Sequence, residues 1–174
     1  MSYTYKKSYW PYIDLFRKYK SDCSIFFETG THCGESVSDA LELGFEKIIS
    51  VEINKSLYDY CIEKFKDCSD RSKLHLFLGS SEENFDAMIS LVDKKTMFWL
   101  DAHIGNGDPA FKEIEKIKLH PIKTHTIIVD DIPLYFGDGT KIKECILQTN
   151  PDYKFIFENV VGNPNPNYHL VAYI

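Results

Sequence analysis

Apolar residues fall along this chain in two patterns, short unbroken runs and stripes spaced three and four apart. The runs occupy residues 23–28, 47–52, 73–78, 96–101 and 124–129. Continuous apolar runs of this length predict strands buried on both faces, since a strand with one wet face would alternate with polar residues. Helical stripes lie between them. Tyr12, Leu15, Phe16 and Tyr19 predict a leading helix over 9–20, with Pro11 suited to its first turn. Val37, Ala40 and Leu41 mark a helix over 35–43, closed by Gly44. Leu57, Tyr58, Cys61, Ile62 and Phe65 mark the next, with Asn54 as its cap. Ser80-Ser81-Glu82-Glu83 is a capping-box pattern ahead of Phe85, Met88, Ile89 and Val92. Asp108 and Pro109 suit the cap and first position of a helix bearing Phe111, Ile114 and Ile117. A loop with Pro133, Gly137 and Gly139 leads to a helix with Ile142, Cys145 and Ile146. Two last strands, 153–158 and 168–174, flank a Gly-, Asn- and Pro-rich turn and predict an antiparallel hairpin.

Strands alternating with helices predict an α/β fold with a mostly parallel seven-stranded sheet and helices on both faces. The 174 residues suit one domain over 1–174, with 1–22 as an N-terminal helical segment. A chain of this size buries roughly 70% of its unfolded surface, enough for one core. Hydrophobic residues at 44% and charged residues at 26% exclude a disordered chain.

Charge and cysteine usage narrow the picture. Lys and Arg number 20 against 26 Asp and Glu, a net charge of −6 that disfavours nucleic acid as a partner. No apolar run reaches the roughly 18–20 residues needed to span a bilayer, and 1–20 lacks a signal-peptide core. The five cysteines are scattered without a C-x-x-C, so the expectation is reduced thiols in a cytoplasm. The alternating charges from Lys112 to Lys118 read as a solvated helix face.

Ligands of parallel sheets bind beyond the carboxyl ends of the strands. Those ends are Glu28, Glu52, Leu78, Asp101 and Asp130, four of them acidic. The first strand runs into Glu28-Thr29-Gly30-Thr31-His32-Cys33-Gly34, whose glycines permit a tight turn ahead of a helix N-terminus. This is not the G-x-G-x-x-G of dinucleotide sites. A carboxylate at Glu52 can take both hydroxyls of a ribose. His32 reads as standing behind the contact residues, His75 as structural, Trp99 as core, and His120, His125 and His169 as lacking ligand spacing. Tyr9 and Trp10 read either as a cap on the site or as part of a helix packed on the sheet.

The segments 27–36 and 49–52 resemble the first two motifs of class I S-adenosylmethionine-dependent methyltransferases. The resemblance extends over nearly the whole chain and implies a Rossmann-like methyltransferase fold. It implies that Glu28, Gly30, Thr31, Gly34 and Ser36 surround the amino-acid end of the cofactor, with Asp101 beside them. It also implies that Glu52 holds the ribose and that Gly79 and Ser80 lie near the adenine. Ser80 stands where the family often has an acidic residue, so the adenine contact can pass to Ser81 or Glu82. The segments 98–103 and 127–131 resemble the branch that methylates hydroxyls, including sugars of macrolide and aminocoumarin antibiotics. That likeness implies a Mg²⁺ ion on Asp101, Asp130 and Asp131.

The chemistry agrees with such a site. A hydroxyl is a poor nucleophile at neutral pH, and a cation held by few carboxylates lowers its pKa. His103, two residues past Asp101, can take the proton. The expectation is therefore an O-methyltransferase with a sugar, glycan or other small molecule as acceptor and catalytic residues Asp101 and His103. Alternatives are a nucleotide-dependent oxidoreductase, an RNA methyltransferase, and a non-catalytic cofactor-binding protein on the same fold.

Overall fold

The computed structural model describes residues 12–103, 109–160 and 164–174. In chain order the elements are α1 (Ile13–Tyr19), β1 (Ile25–Thr29), α2 (Glu35–Glu42), β2 (Lys47–Glu52) and α3 (Lys55–Lys64). A 3₁₀ turn (Arg71–Lys73) leads to β3 (Leu74–Leu78), α4 (Ser81–Ile89), β4 (Thr96–Leu100) and α5 (Ala110–Leu119). Then come β5 (Thr126–Val129), α6 (Ile132–Tyr135), α7 (Thr140–Leu147), β6 (Lys154–Glu158) and β7 (His169–Tyr173).

The seven strands form one sheet in the order β3-β2-β1-β4-β5-β7-β6. The first five are parallel, and β7 runs antiparallel between β5 and β6. The chain winds outward from β1 to β3, then crosses back to place β4 on the other side of β1. That reversal opens a crevice between the carboxyl ends of β1 and β4, the usual ligand position in such sheets.

Successive residues of each strand face opposite sides. Ile25 and Phe27 of β1, with Phe98 and Leu100 of β4, pack under α4, α5 and α7. Phe26, with Met97 and Trp99, packs under α1, α2 and α3 on the other face. Trp99 is fully buried, as a core residue should be.

Several boundaries differ from the sequence reading. The leading helix is described from Ile13; Tyr9, Trp10 and Pro11 lie outside the described residues. Asp108 does too, and Pro109 takes the cap position rather than the first helical one. The loop after β5 contains the short helix α6, which Pro133 suits because an early helical N–H lacks an intrahelical partner in any case. The solvated-face reading of α5 fails at Glu113, which is 1% exposed. Glu113 shares a helical stripe with Ala110 and Ile117, and burial follows that stripe rather than the charge alternation. Thr29 Oγ1 donates to Glu113 Oε2 at 3.3 Å. Among the described residues, no helix is long and apolar enough to cross a membrane, and all five cysteines are free.

Candidate active site

A cavity of about 300 Å³ lies at the carboxyl ends of β1 to β4. This is at the lower end of the range for small-molecule sites. Gly30 and His32 from the β1–α2 loop line it, with Glu52 and Ile53 after β2, Gly79 and Ser81 after β3, and Asp101, Ala102 and His103 after β4.

The β1–α2 loop reverses within five residues. Gly30, His32 and Gly34 all have positive φ. At Gly30, φ is +92°, and an added Cβ would stand 2.7 Å from the Asp101 carbonyl oxygen. Glycine is therefore required where the β1 and β4 crossover ends meet. At Gly34, the left-handed cap of α2, a Cβ would stand 2.8 Å from the Phe65 ring.

Glu52 is 6% exposed and lines the cavity wall. Its Oε2 accepts the His32 backbone N–H at 2.7 Å, and its Oε1 accepts the Asn54 N–H at 2.8 Å. Each oxygen keeps acceptor capacity after one such bond. The carboxylate is thus fixed in place with lone pairs left for hydroxyl donors. Ile53, 54% exposed, and Leu57 add apolar wall beside it.

Glu28 sits behind the cavity rather than on its wall. It is wholly buried and accepts hydrogen bonds from the Ser36 and Ser50 hydroxyls, the latter at 2.5 Å. Thr31 is buried with its Oγ1 2.5 Å from Ser50 Oγ. Burial pushes the Glu28 carboxyl up to about 7 against the lowering effect of the two serines. Ser36 and Thr31 therefore belong to this network under the loop, and Gly34 shapes the turn. Ser80 is the N-cap of α4, its Oγ accepting from the Glu83 N–H at 3.2 Å. The next residue, Ser81, lines the cavity, and its buried Oγ has no partner among the described residues. His32 does not stand behind the contact residues as the sequence suggested; it lines the cavity.

Beyond Asp101 lies a second group. His103 Nε2 is 3.4 Å from Asp101 Oδ1 and 3.3 Å from Asp131 Oδ2. The imidazole stacks on Tyr135, with ring centroids 4.2 Å apart and planes 10° from parallel. Burial raises both carboxyls above their ordinary range, and the neighbouring negative charge of Asp130 adds to this. Ligand atoms of Asp101, His103 and Asp131 all lie within 4.8 Å of one another, close enough to share a metal ion. Asp131 holds its position in the left-handed region, φ +52°, at the cap of α6, with its N–H donating to Asp130 Oδ1 at 2.7 Å.

Asp130 points elsewhere. It is 3% exposed, and its Oδ1 lies 2.6 Å from His169 Nδ1 on β7. Tyr12 and Trp99 flank the His169 ring. The structure thus brings Asp101, His103 and Asp131 together and pairs Asp130 with His169. The histidine had no sequence signal, because β7 meets β5 only in the folded sheet.

No protein-family model matches the sequence, and no curated protein matches it either. Solved structures do match. An O-methyltransferase from Bacillus cereus in complex with S-adenosylhomocysteine superposes with a TM-score of 0.68 at 13% identity, over 94% of this chain and 79% of that one. The O-methyltransferase TomG from Streptomyces achromogenes, involved in tomaymycin synthesis and bound to S-adenosylmethionine, gives 0.67 at 13% identity, over 93% and 77%. An rRNA methylase from Streptococcus thermophilus gives 0.57 at 15% identity, over 87% and 86%. The carboxylate-lined crevice of this chain therefore stands on the Rossmann-like fold of class I S-adenosylmethionine-dependent methyltransferases.

Proposed function

We propose that this chain is an S-adenosylmethionine-dependent O-methyltransferase whose acceptor is a hydroxyl of a sugar, glycan or other small molecule, assisted by Mg²⁺. The observation that carries the reading is the cavity itself: a Glu52 carboxylate with free lone pairs at one end and the Asp101–His103–Asp131 group at the other. Glu52 takes the two ribose hydroxyls. The partnerless Ser81 hydroxyl meets a polar edge of the adenine, and Ile53 and Leu57 cover its apolar face. Glu28, Thr31, Gly34 and Ser36 shape the loop around the amino-acid end from beneath rather than by contact. Asp101 and Asp131 supply the hard oxygen ligands that Mg²⁺ prefers, and Asp130 holds Asp131 through its backbone N–H. A bound cation lowers the pKa of a neighbouring acceptor hydroxyl.

The remaining chemistry belongs to the chain's own groups. His103 Nε2 takes the acceptor's proton as the O–H bond breaks. When bound in the cavity, S-adenosylmethionine would supply the methyl group, the new carbon–oxygen bond forming at the acceptor oxygen as the carbon–sulfur bond breaks and leaves its electrons on sulfur. In-line placement in a site closed to water suffices for the transfer. Half-exposed Tyr135, stacked on His103, offers a flat apolar surface on which a sugar ring packs.

The test is calorimetric titration with S-adenosylhomocysteine, with Mg²⁺ and then with EDTA, followed by methyl transfer from labelled cofactor to glycosides bearing vicinal hydroxyls. Micromolar binding that survives EDTA, with transfer that does not, is the expected result. No binding in either condition overturns the reading.

A further inference from the structure

The β1–α2 loop is fastened from one side. His32, a non-glycine residue in the left-handed region at φ +50° between Gly30 and Gly34, makes the loop costly to hold unless its polar groups are over-determined. Every carbonyl from Thr31 to Gly34 is engaged. Thr31 O accepts the Gly34 N–H at 2.8 Å. His32 O accepts the Cys61 thiol at 3.3 Å. Lys64 Nζ donates to Cys33 O at 2.9 Å and to Gly34 O at 2.8 Å, and Ser38 Oγ adds a bond to Gly34 O at 2.8 Å.

Three of these four carbonyls are therefore held by two side chains of one helix. Cys61 and Lys64 stand three residues apart on α3 and so share a face. Neither lines the cavity. These bonds fix the orientation of the His32, Cys33 and Gly34 peptides against α3, and the Gly34 N–H is spent within the loop on Thr31 O. Lys64 contributes most of this, because hydrogen bonds from a charged donor are roughly twice as strong as neutral ones. Its long side chain reaches over the Phe65 ring, with Nζ 5.0 Å from the centroid, and Phe65 is the ring that packs against Gly34. Burial holds the Lys64 ammonium below the ordinary lysine range, while the neighbouring Cys61, Glu35, Cys33 and Asp39 push the other way.

We infer that Lys64 is a positioning residue for the cofactor: it fastens the Cys33 and Gly34 carbonyls to α3 and so keeps the β1–α2 loop in the conformation that receives the amino-acid end of S-adenosylmethionine. This rests on the proposed function and adds a residue that touches neither cofactor nor acceptor. The sequence signal is slight, since a lysine late in a helix reads as a favourable C-terminal charge.

The experiment titrates the full chain with S-adenosylhomocysteine by calorimetry and compares wild type with Lys64→Met, Lys64→Arg and Lys66→Met. Lys66 is an exposed lysine just beyond α3 that pairs with Glu63, so it controls for the lost charge. Lys64→Met weakens binding about tenfold. Lys64→Arg, which keeps a cation able to donate to both carbonyls, recovers most of the loss. Lys66→Met stays within twofold of wild type. Urea melts of each variant separate loss of affinity from loss of fold. Wild-type affinity in Lys64→Met, or equal losses in Lys64→Met and Lys64→Arg, overturns the positioning role. Failure of the wild-type chain itself to bind overturns the functional reading on which the role rests.

Discussion

Acidification from pH 7.5 to pH 5 should cost this fold about 2 kcal/mol through one buried histidine far from the cavity. His125, just before β5, is fully buried. Its Nδ1 accepts the Thr96 backbone N–H at 3.1 Å, and its Nε2 lies 3.0 Å from His120 Nδ1. His120 Nδ1 also receives the Ile122 N–H at 3.3 Å, and His120 Nε2 stands 3.0 Å from the Val92 carbonyl. The partners dictate the tautomers: His125 carries its proton on Nε2 and donates to His120, which carries its own on Nε2 and donates to Val92. A second proton on His125 would face the Thr96 N–H. Burial lowers the His125 pKa to about 3, and His120, Lys95 and Lys123 push the same way.

The unfolded chain takes up that proton near pH 6.5. The stabilisation is therefore whole above about 6.5 and lost as the pH falls toward 3. At pH 5 the unfolded histidine is charged by about 1.5 pH units and the folded one is neutral, which at about 1.4 kcal/mol per unit gives about 2 kcal/mol. Other groups titrate over the same range, so the measurement is a double difference. Urea unfolding at pH 7.5 and pH 5 is compared between wild type and His125→Asn, whose amide oxygen can still accept from Thr96 but does not titrate. The drop in stability should be smaller by about 2 kcal/mol in the variant. Equal drops in the two proteins would refute the reasoning.

Three further outcomes follow from the site. Glu28→Gln removes a carboxyl that burial raises to about 7; from pH 5 to pH 8 the wild type should lose about 2 kcal/mol relative to the variant, read as a double difference of urea unfolding free energies. The sign is the reverse of that at His125, because the raised carboxyl stabilises most when protonated and loses this as the pH climbs through its folded value. Gly30→Ala forces a Cβ against the Asp101 carbonyl at a left-handed backbone; it should cost more than about 1 kcal/mol in stability and at least tenfold in S-adenosylhomocysteine affinity by calorimetry. Asp131→Asn should abolish Mg²⁺-dependent methyl transfer. Asp130→Asn, which alters the carboxylate that accepts the Asp131 N–H and pairs with His169, should raise the Mg²⁺ concentration required by about 10–100-fold.

The fold was legible because burial on both faces leaves a strong mark. Runs such as Lys47–Glu52 cannot form a half-wet strand, and stripes such as Phe85, Met88 and Ile89 cannot form anything but a one-sided helix. The acidic strand ends were legible for the same reason, since each carboxylate interrupts an apolar run where a parallel sheet opens its crevice. The direction in which each carboxylate points was not. Glu28 shares its strand face with buried Phe26, and the alternation rule places both under α2. Whether a buried carboxyl is tolerable there depends on Ser36 and Ser50, which arrive from two other elements. Asp130 and Asp131 are neighbours of the same chemical type, yet His169 takes one and His103 the other. Adjacent residues on a strand end face opposite ways, and only the insertion of β7 beside β5 decides which of the two meets a histidine. Local pattern thus determines where charge gathers in this protein. The partner that makes each charge affordable comes from a distant segment, and that partner sets what the charge can do.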